Sequence, residues 1–69
     1  MTEMKKAHHG NYVIQVTRMI DGYVKNIFEG GDDAPLPNVP YSPLGGGADG
    51  AIEDSIRLID EREAERKLR

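Results

Sequence analysis

The chain has no cysteine, no tryptophan, a single phenylalanine and no long apolar run. Without cysteine, neither a disulfide nor a thiolate metal site can stabilise the fold, and nothing points to an oxidising compartment. No apolar segment approaches membrane-spanning length and none follows Lys5 and Lys6, so no membrane contact is expected and the expected location is the cytoplasm. A basic excess is missing as well. Nine Lys and Arg stand against twelve Asp and Glu, a formal net charge of −3, which argues against a general nucleic-acid binder that must neutralise phosphates. A chain of 69 residues makes one small domain, and such a domain buries only about 60% of its unfolded surface. Association with a partner or a second copy is the remaining source of stability.

What is present centres on residues 12 to 29. Tyr12-Val-Ile-Gln-Val-Thr-Arg-Met-Ile20 and Tyr23-Val-Lys-Asn-Ile-Phe28 are β-branched and aromatic runs joined by Asp21-Gly22, the signature of a hairpin with a two-residue type I′ turn. Such a turn sets Ile20 opposite Tyr23, Arg18 opposite Lys25, Val16 opposite Ile27 and Ile14 opposite Glu29. Tyr12, Ile14, Val16, Ile20, Tyr23 and Ile27 then share a core face. The other face, with Val13, Gln15, Thr17, Met19, Val24, Asn26 and Phe28, is mixed and suits either solvent or a partner.

Before the hairpin, residues 1–10 show no periodicity and end in glycine, and are expected to form a flexible arm. The remaining residues, 11–69, form a single mini-domain of hairpin (12–29), loop (30–48) and helix (49–67). The loop holds all four prolines and most of the glycines, so it should run as stiff extended pieces before a flexible glycine run. Leu36, Val39, Tyr41 and Leu44 give it apolar side chains to lay over the core as a flap. Asp49 reads as a helix N-cap, Glu53 and Asp54 suit the positive end of the helix dipole, and Arg66 and Lys67 suit the other end. Ile52, Ile56 and Ile59 recur on one face, widened by Ala51, Ser55 and Leu58. Beyond Ile59 the pattern gives way to charge, and the helix should extend into solvent. The fold class expected is therefore α+β, a small ββα domain in which an antiparallel hairpin packs on one C-terminal helix through a Pro/Gly-rich loop.

The chemistry-bearing residues form no enzymatic constellation, and no catalytic residue, cofactor or metal site is expected. Adjacent His8 and His9 point to opposite sides of an extended chain and have no third ligand to join. Asp32-Asp33 lacks the alternating spacing of a calcium loop. Gly45-Gly-Gly-Ala-Asp-Gly50 matches G-x-G-x-x-G, but it follows a proline-rich coil rather than a strand and reads as a hinge. Pro37-Asn-Val-Pro40 fits P-x-x-P, a short and common pattern.

The layout from Tyr12 to Lys67, with Tyr12-Val-Ile-Gln-Val and Ala51-Ile-Glu-Asp-Ser-Ile-Arg, resembles small phage-encoded inhibitor proteins, including some type I anti-CRISPR proteins. A similar plan occurs in HicB-like antitoxin domains and in the second half of double-stranded RNA-binding domains; the last would want lysines where Asp49, Glu53 and Asp54 stand. The resemblance to the inhibitors implies a non-enzymatic protein that binds a host protein or ribonucleoprotein complex stoichiometrically. These inhibitors share no functional residues, so none is carried over. On the residues alone, partner binding is expected at Glu53, Asp54, Asp60 and Glu61, a row of helix carboxylates, with Tyr41 as an aromatic anchor. Two further expectations stand beside this: a nucleic-acid-binding regulator using Lys5, Lys6, Arg18 and Lys25, and a structural subunit of a larger assembly. A homodimer is also expected, because a bare hairpin leaves both strand edges free.

Overall fold

A computed structural model describes residues 4–68. Three antiparallel strands, β1 (Met4–His9), β2 (Tyr12–Arg18) and β3 (Tyr23–Glu29), form a sheet in the order β1-β2-β3, and one helix, α1 (Gly47–Lys67), packs across it. The α+β class and the C-terminal helix are as the sequence predicts. The sheet has one strand more.

That strand replaces most of the expected flexible arm; residues 1–3 lie outside the described residues. Lys5, Ala7 and His9 pair with Val16, Ile14 and Tyr12, and Gly10 takes the positive φ of 59° needed to turn the chain back into β2. Only Ala7 on this strand is apolar and core-facing, which is why hydrophobic alternation does not reveal it. Its other two inward residues reach the helix through charge: Lys5 Nζ lies 2.6 Å from Asp49 Oδ1 and His9 Nε2 lies 3.0 Å from Asp60 Oδ1.

The β2–β3 register also differs from the expected one. Arg18 pairs with Tyr23, Val16 with Lys25, Ile14 with Ile27 and Tyr12 with Glu29, a shift of two residues. The loop is Met19 to Gly22, closed by the Met19 N–H donating to the Gly22 carbonyl at 2.7 Å. Neither Asp21 nor Gly22 has positive φ, so the type I′ turn does not form. Because strand side chains alternate, a two-residue shift leaves every residue on its predicted face. Tyr12, Ile14, Val16, Tyr23 and Ile27 are buried, whereas Ile20 stands at the loop tip, 96% exposed, and leaves the predicted core. Gly22 is buried against the returning chain: a Cβ there would sit 2.7 Å from the Ser42 carbonyl oxygen.

The proline-rich segment does act as a flap, in the form of a strap along the outer edge of β3. Leu36 N–H donates to Ile27 O at 2.8 Å, and Tyr23 and Ser42 exchange backbone hydrogen bonds of 2.8 and 3.1 Å. Leu36 and Val39 pack on the core, while Tyr41 and Leu44 stay exposed. The strap covers the edge that a bare hairpin would leave open on that side. It ends in a 3-10 turn (Leu44–Gly46) and enters α1 two residues earlier than expected, with Gly46 rather than Asp49 at the cap position and no side-chain cap bond. Asp49 instead sits in the first turn, where its carboxylate receives Lys5.

On α1 the fully buried line is Ala51, Ser55 and Ile59, with Ile52, Ile56 and Leu58 packed beside it. Two small residues at the centre let the helix backbone approach the sheet closely, and Ser55 Oγ donates to Ala51 O at 2.9 Å so that no buried hydroxyl is orphaned. Past Ile59 the helix does not simply leave the domain. Glu63 accepts from the Tyr12 hydroxyl at 2.6 Å, and Arg66 Nη2 donates to Glu29 Oε2 at 3.2 Å, so one flank of the charged half stays anchored to the sheet.

Candidate binding site

The strap and α1 do not close on each other completely, and the seam between them carries two hollows. The first, of about 300 Å³, is lined by Lys25 from β3, Pro40 and Tyr41 from the strap, and Asp54, Arg57, Leu58 and Glu61 from the helix. The second, of about 260 Å³, lies against Leu36, Pro37, Asn38, Arg62 and Glu65 and shares Leu58 and Glu61 with the first. Leu58 and Glu61 thus form a ridge in the middle of one groove. Spacing explains it: residues four and seven apart, Asp54, Leu58, Glu61 and Glu65, fall on one side of the buried line of α1.

Ser42 holds the first hollow in shape. It is 2% exposed, its main chain is bound to Tyr23, and its hydroxyl donates to Asp54 Oδ2 at 2.6 Å. Asp54 Oδ1 lies 3.5 Å from Arg57 Nη1. Strand, strap and helix are therefore tied through one serine and one aspartate. Lys25 occupies a core-face position between Tyr23 and Ile27 and is only 6% exposed. Burial strips water from its ammonium and lowers its pKa; nearby Asp54 opposes that shift and Arg57 adds to it.

A second polar cluster, at the far end of the sheet, is structural. The Tyr12 hydroxyl lies between Glu63 and Glu29, with Arg62 and Arg66 on the same carboxylates at 3.2–3.7 Å. Burial, then the hydrogen bond to Glu63, raises the Tyr12 pKa. Among the described residues no group of three or more His, Cys, Asp or Glu is placed to hold a metal ion.

Of the five residues the sequence singles out, the fold brings three together: Tyr41, Asp54 and Glu61 meet at the first hollow. Glu53 and Asp60 lie away from it. Glu53 faces solvent, and Asp60 is engaged with His9. Of the cations of the nucleic-acid alternative, Lys5, Arg18 and Lys25 share one face of the sheet in register, with Arg18 exposed at the end of β2. Lys5 is bound to Asp49 and Lys25 is buried, while Lys6, paired with Gln15, lies on the opposite face of the sheet. Arg57 and Ser42 are not among the residues the sequence singles out, and Lys25 is singled out only for the nucleic-acid reading and not for this groove. A lysine in phase with Tyr23 and Ile27 was the available signal for Lys25; Ser42 and Arg57 carry no signal in sequence. The mixed outer face of the sheet, including Val13, Val24 and Phe28, is partly exposed.

The chain is thus a small α+β domain, a three-stranded meander with one helix and an edge-covering strap. No family model, curated protein or solved structure matches it. No helix among the described residues is long and apolar enough to cross a membrane.

Proposed function

We propose that this chain is a non-enzymatic binding protein, acting in the cytoplasm as a stoichiometric inhibitor or regulator that docks a host protein along the seam between the strap and α1. The observation that carries this reading is the convergence of Tyr41, Asp54 and Glu61, from a loop and a helix far apart in sequence, on one groove. Tyr41 is 61% exposed at its rim and supplies a rigid, amphipathic anchor of the type that dominates interfaces. Glu61, on the ridge, makes no hydrogen bond or ion pair among the described residues, so its charge is available to a lysine or arginine of the partner. Asp54 serves by shaping the groove, since Ser42 and Arg57 already occupy its carboxylate. The resemblance of the Tyr12 to Lys67 stretch to small phage-encoded inhibitors points the same way, and a mobile-element origin is part of the proposal.

Self-association belongs to the proposal in a narrower form than the sequence suggests. With the strap on β3, the outer edge of β1 is the one at which a second copy would add strands. Sedimentation checks this: a species of a single chain's mass at micromolar concentration excludes the dimer and leaves the groove untouched.

The test of the groove is Tyr41→Ala and Glu61→Lys, each confirmed folded, compared with the parent chain for proteins captured from the native host at two salt concentrations. Both should lose the same captured protein, and Glu61→Lys should lose it more completely at low salt, where the charge term is least screened. Undiminished capture by both variants would move the interface elsewhere.

A further inference from the structure

We infer that the hollow beneath Tyr41 is a receptor for a carboxylate borne on a short apolar stem, with the Lys25 ammonium as its principal ligand. This goes beyond the docking of Glu61 and Tyr41 against a protein, and it is read without any partner present. Lys25 is more than nine-tenths buried, yet it makes no hydrogen bond or ion pair among the described residues. Other cations on this side of the sheet do: Lys5 is on Asp49, Arg62 and Arg66 are on Glu29, and Arg57 is on Asp54. A lysine buried over most of its length whose ammonium pairs with no carboxylate is uncommon, because desolvation is compensated by pairing or by contact with solvent. No described side-chain nitrogen or oxygen is both fully buried and unpartnered, so the ammonium reaches the hollow that Lys25 lines rather than ending in the core.

The walls select the ligand. At the Lys25 side of the hollow an amine is repelled by Lys25 and Arg57, whereas a partner's cation is taken at the exposed Glu61 on the ridge. A dianionic phosphate meets Asp54 and Glu61 on the helix side, which disfavour a second negative charge. A monoanion suits the balance, because Asp54 already receives the Ser42 hydroxyl at 2.6 Å and Arg57 at 3.5 Å and is not aimed solely at Lys25. Pro40, the Tyr41 ring and Leu58 give an apolar wall for the stem. The volume of about 300 Å³ corresponds to roughly ten waters at their liquid volume, room for a small branched acid or for the last residue of a polypeptide. The lowered pKa of Lys25 has the same origin: burial outweighs the attraction of Asp54. Occupancy would supply a further anion and raise the pKa.

The test is an NMR titration of the intact chain with isovalerate, its neutral amide isovaleramide, and a short peptide ending in leucine with its C-terminus either free or amidated. Isovalerate should give saturable shifts at Lys25, Arg57 and Leu58 and move the Lys25 side-chain titration to higher pH, while isovaleramide gives neither. Tighter binding of the free-acid peptide than of isovalerate identifies a polypeptide C-terminus as the source, and the reverse order identifies a free acid. Lys25→Met keeps the stem, removes the charge and should weaken isovalerate about tenfold or more, the worth of a hydrogen bond to a charged group. Glu61→Gln, a surface change that leaves the fold alone, should tighten it several-fold by removing the opposing charge at the rim. Equal binding of acid and amide, or no saturable shift at millimolar isovalerate with Glu61→Gln, overturns the inference. Lys25→Met separates the two readings: loss of isovalerate binding with capture intact leaves the docking groove standing, and loss of capture by Tyr41→Ala and Glu61→Lys with isovalerate binding intact in the parent chain leaves the acid receptor standing.

Discussion

Ile59→Ala and Ile56→Ala make the sharpest pair of perturbations, because they differ only in where the helix turns each side chain. Ile59 is 2% exposed, in the same cluster as Tyr12, Ile14 and Ile27, while Ile56 is half-buried at the flank. Both substitutions remove the same atoms and both raise helix propensity by the same few tenths of a kcal/mol, so that contribution cancels between them. Truncating a fully buried isoleucine removes its transfer energy and leaves a cavity, about 3 kcal/mol within the usual span of large-to-small changes. Half-burial without an enclosed cavity gives about 1 kcal/mol for Ile56. A chain of 69 residues has a total stability on the order of 3 to 10 kcal/mol, so the first change takes a large share and the second a small one. Urea denaturation at constant slope reads the difference directly. In thermal melts the two should fall by about 10–25 °C and about 4–8 °C respectively. If Ile56→Ala costs as much as Ile59→Ala, the helix is rotated from the orientation described and the Ala51-Ser55-Ile59 line is not its contact face.

The remaining expectations concern the strap, the sheet end and the titratable groups. Gly22→Ala places a methyl 2.7 Å from the Ser42 carbonyl at a residue without positive φ, so its cost, about 1–3 kcal/mol, is purely steric; amide exchange at Tyr23 and Ser42 should accelerate well beyond that at Ile14. Tyr12→Phe removes the donor to Glu63 and should cost about 1–2 kcal/mol, measured by the same urea midpoint. The alkaline limb of stability separates two groups of opposite sign. Lys25 has a lowered folded pKa, so the unfolded chain holds more protons just below the ordinary lysine value and stability rises with pH through that window. Tyr12 has a raised folded pKa, so its contribution is intact below the ordinary tyrosine value and is lost as pH climbs through the raised one. Lys25→Met should abolish the rise and Tyr12→Phe the later loss; a pH profile indifferent to both would mean that neither group is perturbed in the folded chain.

Which parts of this fold were legible in sequence follows from which forces hold them. The β2 and β3 runs and the faces of their side chains could be read because burial on a pleated surface imposes a period of two, and that period survives a two-residue slip in register. The slip itself could not be read. It goes with a four-residue loop, Met19 to Gly22, that packs against Ser42, 20 residues further along the chain, an approach that no local pattern encodes. The same holds for β1, a strand held by backbone pairing and by the charges Lys5 to Asp49 and His9 to Asp60. With Ala7 as its single inward apolar residue, it has no hydrophobic signature to find. In the helix the isoleucines drew the predicted face toward Ile56, whereas the close approach to the sheet selects the small residues Ala51 and Ser55 for the centre and pushes Ile52 and Ile56 to the side.

Lys25 is the residue whose position in the strand pattern points most directly to the groove. A charged residue at a core-phase position of a strand either finds a partner, moves its pKa or ends at a cavity, and each outcome is informative. Here the neighbouring carboxylate, Asp54, is committed to Ser42 and Arg57, and Lys25 lines a hollow. Replacing Lys25 by a hydrocarbon of similar length would remove that desolvation cost without opening a cavity, so Lys25→Met should be at least as stable as the parent chain near neutral pH. A position where the apolar residue is the more stable choice for folding is one where lysine has to be explained by something the folded chain binds.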